Sequence, residues 1–387
     1  MQQILFILGR TPELAFLELK TFFPHVTRLA PDVASADSEL PVASADIIAL
    51  LGGTVKIAVQ LGKAAEVNAD SIAKHIEANG GRTVFGVSVY GEARNVNRKL
   101  LEEAKTLLEG HGSSVRFIEG KGGGELTSVV IEKNNVQELI FIKVATGYVI
   151  GRTVAVQPFE AWNTRDFGRP CADPKAGMLP PKVSRMAVNV ADGSRDVAKK
   201  LTQKTLLDPF CGMGTVLAEA LVMGWNVMGT DQSAPIIEKC RANLRWLTEK
   251  HQSADGVTYR LQAADAVHVS EVIDASSIDA IVTEPFMGDT NIANHLSRVN
   301  DLDVKNIIKG LEKLYIGCLK DWRHVLKPRG VVMMALPMYA VAGKTYFVKK
   351  VIDMCENLGY TIQTGPIEYS RPGAVVKRQF YLFKKQN

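Results

Sequence analysis

No CxxC pair occurs in this chain. Its cysteines, Cys171, Cys211, Cys240, Cys318 and Cys355, are odd in number and far apart. That pattern supports neither a zinc ribbon nor a disulfide framework, and reduced thiols are expected. The histidines (His25, His75, His111, His251, His268, His295 and His324) show no metal-ligand spacing, so no metal is inferred. No run of 18 apolar residues is present, so no membrane span is expected. The opening MQQILFILGRTPELAF lacks a basic start and a small-residue cleavage site, so a secretory signal is not expected either. Charge of neither sign dominates: 46 basic residues face 41 acidic ones, a net of +5 that permits a nucleic-acid partner without demanding one. These absences point to a cytoplasmic protein.

What is present is ordinary globular composition, 46% hydrophobic and 22% charged over 387 residues. At about 150 residues per domain, two or three domains are expected. The small net charge hides an asymmetry. Residues 1–160 carry 16 basic and 18 acidic side chains, a net of −2, whereas residues 161–387 carry 30 against 23, a net of +7. An anion is therefore better attracted by the second half.

Residues 2–8 read as a strand, and Pro12 to Phe23 as a helix with proline in its first turn. VASAD recurs at 33–37 and 42–46, too short to make a repeat. A helix end, the Gly52-Gly53 break and a strand fill 46–60, closing a first unit near 65. Next come a strand at 83–90, a helix from Val96 to Glu109, SVRFIE, a turn at Gly122–Gly124 and SVVIEK. A helix near 135–139 and the long run IFIKVATGYVIGRTVAV complete an α+β module. Residues 157–182, broken by Pro158, Pro170, Pro174, Pro180 and Pro181, read as a linker. From 205 onward strands alternate with helices, the grammar of a parallel sheet covered on both faces. The chain ends in a candidate antiparallel hairpin, TIQTGPIEYS and QFYLFKK. Three units follow: 1–65, 66–165 and 166–387.

Asp208-Pro209-Phe210-Cys211-Gly212-Met213-Gly214-Thr215 is a tight glycine-rich turn between a buried strand and a helix. Gly212 and Gly214 let the backbone approach a ligand, and the helix start offers unpaired N–H groups. Nicotinamide or flavin dinucleotides and S-adenosylmethionine both use such turns. The dinucleotide fingerprint G-x-G-x-x-G/A fails here at Leu217, and Asp208 would repel a pyrophosphate. An acidic residue suits a cofactor with a positive amino or sulfonium group. Asp231, followed by Gln232, ends the next strand, where a carboxylate takes two ribose hydroxyls. Asp265, before Ala266, can accept from an adenine amine.

The fourth strand of this half ends Thr283-Glu284-Pro285-Phe286-Met287-Gly288. It resembles the Asp/Asn-Pro-Pro-aromatic signature of amino-group methyltransferases. An exocyclic amine is a weak nucleophile because its lone pair spreads into the ring. A carboxylate accepting its N–H localises that pair and aims it at a methyl carbon. Here Glu284 takes the acid position and Pro285 the first proline, while Phe286 and Met287 replace the second proline and the aromatic; Glu284, Pro285 and Phe286 would grip the amine. Shifted by one residue, Thr283 replaces the acid while Pro285 and Phe286 match.

The segments Asp166-x-x-Arg169-Pro170 and Ala176-Gly-Met178-Leu-Pro180-Pro181-Lys182-Val-Ser-Arg185-Met-Ala-Val-Asn189 are similar to the THUMP-containing tRNA guanosine N2-methyltransferases. So are Leu8-Gly9-Arg10-Thr11-Pro12-Glu13, Leu51-Gly-Gly-Thr-Val-Lys56 and Leu326-Lys-Pro-Arg-Gly330. The resemblance implies an α/β protein: a Rossmann-like class I methyltransferase domain preceded by ferredoxin-like and THUMP-like modules. It implies methyl transfer from S-adenosylmethionine to N2 of guanosine at tRNA position ten, once or twice. It implies that Met178, Pro181 and Lys182 close over the methionine end of the cofactor. Asp208, Phe210, Cys211, Gly212, Gly214, Thr215, Asp231, Gln232, Asp265 and Ala266 would hold the rest. Lys182 and Arg185 suit a cofactor, a phosphate or plain solvent equally. Arg165, Arg169 and Trp162, in a locally basic stretch, are candidate RNA contacts. Two other readings stay open: a DNA adenine-N6 or cytosine-N4 methyltransferase, and a non-catalytic RNA-binding protein with a vestigial cofactor fold.

Overall fold

The computed structural model describes residues 2–38, 45–77, 82–91, 96–110, 114–172, 178–193, 204–251, 256–288, 301–341, 343–370, 374 and 376–387. Within the sequence features above, residues 173–177 (with Pro174, Lys175 and Ala176), residues 42–44 of the second VASAD, His111 and His295 lie outside them. The chain forms two compact units, Met1–Ala161 and Trp162–Asn387.

The first unit is built on one eight-stranded mixed sheet. Its strands are β1 (Gln2–Leu8), β2 (Val26–Ala30), β3 (Val33–Ser38), β4 (Thr54–Ala64), β5 (Arg82–Tyr90), β6 (Ser114–Phe117), β7 (Gln137–Val144) and β8 (Gly147–Val156). They run in the order β2-β3-β1-β4-β8-β7-β5-β6. The division expected near residue 65 falls at the end of β4. That strand pairs antiparallel with β1 on one side and β8 on the other, so residues 1–65 and 66–161 share a single sheet. The helices are α1 (Pro12–Phe22), α2 (Ala45–Leu50), α3 (Ala69–Ala73), α4 (Arg98–Glu109) and α5 (Ser128–Asn134).

Local chemistry sets their ends. Pro12 sits in the first turn of α1, and Asn68 closes a capping box with Ser71 on α3. Segment 128–133, which reads as extended, is instead α5. Thr127 caps its start by accepting from Val130 N, and left-handed Asn135 ends it. The helix expected near 135–139 is therefore displaced, and Gln137 already begins β7. The Gly52-Gly53 break has a similar local cause: the two amides donate to the buried Glu18 carboxylate at 2.8 and 2.9 Å. Lys56 is also internal. Its ammonium donates to Glu138 at 2.5 Å, and Ser88 and Thr153 donate to the same carboxylate. These motif residues hold the sheet together, since a buried carboxylate is tolerated only when its lone pairs are filled.

The second unit carries β9 (Thr205–Asp208), β10 (Asn226–Asp231), β11 (Tyr259–Ala263), β12 (Ile278–Thr283), β13 (Leu326–Val341), β14 (Lys344–Phe347), β15 (Tyr360–Tyr369) and β16 (Val376–Lys385). Their order is β11-β10-β9-β12-β13-β16-β15, with β14 paired to β13. The first five are parallel, while β15 and β16 form the expected antiparallel hairpin and β16 pairs antiparallel with β13. Successive connections run outward from β9 in one direction and from β12 in the other. The pair β9/β12 is thus the topological switch point, where doubly wound sheets bind ligands.

Its helices are α6 (Phe159–Phe167, beginning in the first unit's last residues), α7 (Pro181–Asp192), α8 (Thr215–Val222), α9 (Ala234–His251), α10 (Asp301–Val325) and α11 (Lys349–Asp353). Residues 157–182 thus contain α6 and lead into α7 rather than forming a plain linker. The long α10 buries Val304, Ile308, Leu311, Tyr315, Leu319 and Trp322 at helical spacing against the sheet. Each such aliphatic side chain contributes about 1.5–3 kcal/mol. The Trp322 indole donates to Ala266 O at 2.9 Å, tying α10 to the loop after β11.

Candidate active site

The carboxyl ends of β9 to β12 open on one cleft of about 960 Å³. That is near the top of the range for ligand pockets, about 300–1,000 Å³. Met178, Asp208, Phe210, Cys211, Gly212, Thr215, Asp231, Gln232, Asp265 and Ala266 line it together with Glu284, Pro285 and Phe286. Residues from 178 to 286 meet there, most of them at or just past the ends of neighbouring strands.

Asp208 is 2% exposed at the end of β9. Its carboxyl accepts from Thr283 Oγ1 at 2.7 Å and Phe210 N at 3.1 Å. Burial pushes it up to about 7; the two hydrogen bonds oppose that rise, and the charges of Asp231 and Glu284 add to it. The turn that follows is tight. Gly214 has φ +81°, and a Cβ there would stand 2.6 Å from Cys240 Sγ, so only glycine fits. Cys211 hydrogen-bonds the Cys240 thiol and is buried, both of which hold its own thiol well above the usual range. It is an apolar wall, not a nucleophile.

Asp231 accepts from Ser233 N at 2.9 Å and Gly212 N at 3.3 Å. This locks the turn after β9 to the end of β10, and a carboxylate has lone pairs left for a diol. Asp265 caps the 3₁₀ turn Ala266–Glu271 by accepting from Val267 N at 3.1 Å, and its side chain is 58% exposed toward the cleft mouth. Phe210, whose ring meets Trp322 edge-on at 6.4 Å, forms a braced apolar side.

On the β12 side, Thr283 is buried on Asp208, while Glu284 lines the cleft. The Glu284 carboxylate is ion-paired with Arg378 Nε of β16. Phe286 is 57% exposed, a bare ring at the mouth. Its carbonyl accepts from Tyr315 Oη of α10 at 2.6 Å, and Tyr339 Oη of β13 donates to Met287 O. The loop carrying Glu284 is therefore fastened from three elements.

Other expected contacts lie elsewhere. Gly214, Pro181 and Lys182 do not line the cleft. Gly214 shapes the turn from behind, Pro181 opens α7, and the Lys182 ammonium stands 5.8 Å from the Trp162 ring. Trp162 is only 3% exposed, with Arg165 and Arg185 also over its ring at 4.2 and 5.1 Å, so it offers no face to an RNA base. Arg165 donates to Glu219 at 2.8 Å, and Glu219 lies 2.6 Å from Arg185. Arg169 donates to Thr215 Oγ1 at 2.8 Å; burial lowers its pKa, and Asp166 opposes that. Trp162 and Arg165 brace the protein through their ring contact, since an aromatic face is a stable place for a partly buried cation, and Arg169 does so through Thr215. Phe167 is the aromatic of this stretch that stays exposed, at 76%.

The residues that sequence reasoning missed are mostly fasteners. Arg378 sits 94 positions from Glu284 with no local signature. Asn243 of α9 accepts from Cys171 N at 2.8 Å and donates to Cys171 O and Met213 O at 2.8 and 2.9 Å, clamping residue 171 behind the glycine-rich turn.

The donor set fits S-adenosylmethionine. Asp208, Asp231 and Asp265, at or just past successive strand ends, would face in order a positive methionine amine, a ribose diol and an adenine amine, with apolar Pro209, Phe210 and Ile236 also lining the cleft. The same carboxylates would repel a pyrophosphate. Among the described residues, no group of three His, Cys, Asp or Glu side chains can hold a metal, and no helix is long and apolar enough to cross a membrane.

Residues 182–291 match the family described as UPF0020, RMKL-like, methyltransferase domain. The tRNA (guanine(10)-N2)-dimethyltransferase of Pyrococcus abyssi is 25% identical over 287 residues, 72% of each chain. The protein of the same name from Methanothermobacter thermautotrophicus is 30% identical over 196 residues, 50% of this chain and 48% of that one. A crystal structure titled as a "possible methylase" from Clostridium difficile 630 is 9% identical with a TM-score of 0.49, covering 98% of this chain and 97% of that one.

Proposed function

The second unit is a Rossmann-like, class I methyltransferase domain dependent on S-adenosylmethionine, and from that premise we propose that the chain methylates the exocyclic N2 amine of a guanosine in tRNA. The observation that carries this reading is the meeting of the Glu284–Phe286 edge and the three strand-end carboxylates in one cleft. The guanine and tRNA assignment draws support from the two relatives' names, and position ten is the expected nucleotide.

When bound, the cofactor supplies a methyl on a sulfonium, already activated, so no strong base is needed. Asp208, Asp231 and Asp265 hold it. Glu284 accepts an N–H of the guanine amine and so localises the lone pair along the attack line. The proton that the amine sheds on forming its new C–N bond passes to Glu284 or to water. The exposed Phe286 ring stacks on the base drawn out of the RNA, an interaction worth about 1–3 kcal/mol. Residues 1–65 act as a ferredoxin-like region and 66–165 as a THUMP-like module on the sheet they share. With a net charge of −2, they read RNA by shape and a few placed contacts more than by bulk attraction. A tRNA substrate sets the enzyme in the cytoplasm.

Tritium transfer from labelled cofactor into unmodified tRNA, followed by nucleoside analysis, tests this. Label in N2-methylated guanosine is expected. Label in adenine N6 or cytosine N4 would overturn the guanine assignment, and cofactor binding with no transfer to any tRNA would overturn catalysis.

A further inference from the structure

Glu284 stands where amino-methyltransferases carry a shorter Asp or Asn. A longer acid has one more rotatable bond and points its carboxylate less reliably. The fold holds it: Arg378 of β16 donates Nε to Glu284 Oε1, with the two side chains only 13% and 17% exposed. Arg378 is itself anchored. It lies opposite Pro337 of β13 and opposite Tyr369 of β15, and its guanidinium stands 5.8 Å from the Tyr369 ring centroid. Tyr369, Arg378 and Glu284 thus form a short relay from the sheet's antiparallel edge to the cleft. Among the described residues, Asp208 of β9 and Tyr315 of α10 also act on Glu284 electrostatically; the acid repels it and the phenol stays neutral. The ion pair with Arg378 supplies a countercharge.

We propose that Arg378 is a positioning residue for methyl transfer, acting through Glu284 by fixing its carboxylate against the target amine. The proposal rests on the reading of Glu284 given above. A guanidinium suits the task because its planar fork fixes direction as well as charge, which a lysine ammonium does not.

The test uses the full chain in four forms: Arg378→Met, Arg378→Lys, Glu284→Gln and the Glu284→Gln/Arg378→Met double variant. Single-turnover transfer to unmodified tRNA is measured beside S-adenosylhomocysteine binding and thermal melting. A carboxylate displaced by about 1 Å costs on the order of 100-fold in rate, so that loss is expected for Arg378→Met. Cofactor binding is expected to stay within about twofold, and Arg378→Lys to recover part of the rate. In the Glu284→Gln background, Arg378→Met is expected to cost nothing further, because both changes remove one device. Full additivity of the two losses would overturn the proposal, as would a raised KM for tRNA at unchanged kcat, which would make Arg378 a phosphate contact. If Arg378→Met fails to fold, Arg378→Lys carries the comparison, and wild-type turnover in a well-folded Arg378→Lys that no longer couples to Glu284→Gln sinks the idea. Wild-type turnover by Glu284→Gln overturns the reading of Glu284 itself. An impaired Glu284→Gln beside an intact Arg378→Met overturns the proposal alone.

Discussion

A carboxyl 2% exposed, with Asp231 and Glu284 adding like charge, keeps its proton until near pH 7. For Asp208 the folded value is raised from 3.8 to about 7, so between those limits the folded chain holds a proton that the unfolded chain has lost. Stability therefore falls as pH rises through that window and is level above it, by on the order of 4 kcal/mol at most. A cationic amino group opposite Asp208 favours the ionised form. S-adenosylhomocysteine binding is accordingly expected to tighten by up to about tenfold per unit as pH climbs from about 6 to about 7, then level off. Calorimetry across pH reads this directly; Asp208→Asn should bind weakly with a flat profile, and a flat wild-type profile would place the amino group elsewhere. The strand-end positions of Asp208, Asp231 and Glu284 were legible in the sequence because apolar residues precede them, whereas Asp265 follows the more polar edge strand β11. Arg378 was not, since its meaning depends on which strand lies beside β12 and β13. Trp162 misled in the opposite sense, because an aromatic among arginines reads alike whether its ring is wet or buried.

At the scale of elements, the 165–172 stretch is pinned to the back of the cofactor turn by three ties: Arg165 to Glu219, Arg169 to Thr215, and Cys171 to Asn243. Asn243→Ala removes three hydrogen bonds and leaves two carbonyls and the Cys171 N–H without this partner, a loss of about 1–3 kcal/mol. Thermal melting should show a drop of several degrees, with weaker S-adenosylhomocysteine binding although Asn243 does not line the cleft. Glu249→Ala, an exposed change on the same helix, should leave both unchanged and serves as the control. The parallel strands and their helices were readable because apolar runs alternate with 3.6-residue periodicity. Segment 128–133 was not: Val129, Val130 and Ile131 favour a strand, and the outcome turned on Thr127 and Asn135 at its two ends. Residues 157–182, read as a linker, do hold the boundary between the two units at 161/162, but the helix Phe159–Phe167 within them went unread among the prolines.

The two units divide charge unequally across the whole molecule. The unit proposed to grip RNA is slightly acidic, and the unit with the cleft is basic. Within the second unit, order along the sheet matters more than order along the chain. The glycine-rich turn and its carboxylates hang on β9, β10 and β11, whereas Arg378 belongs to β16, with β15 alone outside it at the opposite border. Border strands open at lower free energy than central ones. Mild denaturant should therefore fray the β15–β16 ribbon while β9 and β10 stay protected, a difference that amide hydrogen exchange resolves. Turnover should then vanish at lower denaturant than cofactor binding does, and coincident loss of both would refute the separation. The enzyme would thus pass through a state that still retains its cofactor but has lost its aim, and activity would act as a gauge of whether its outermost hairpin is closed.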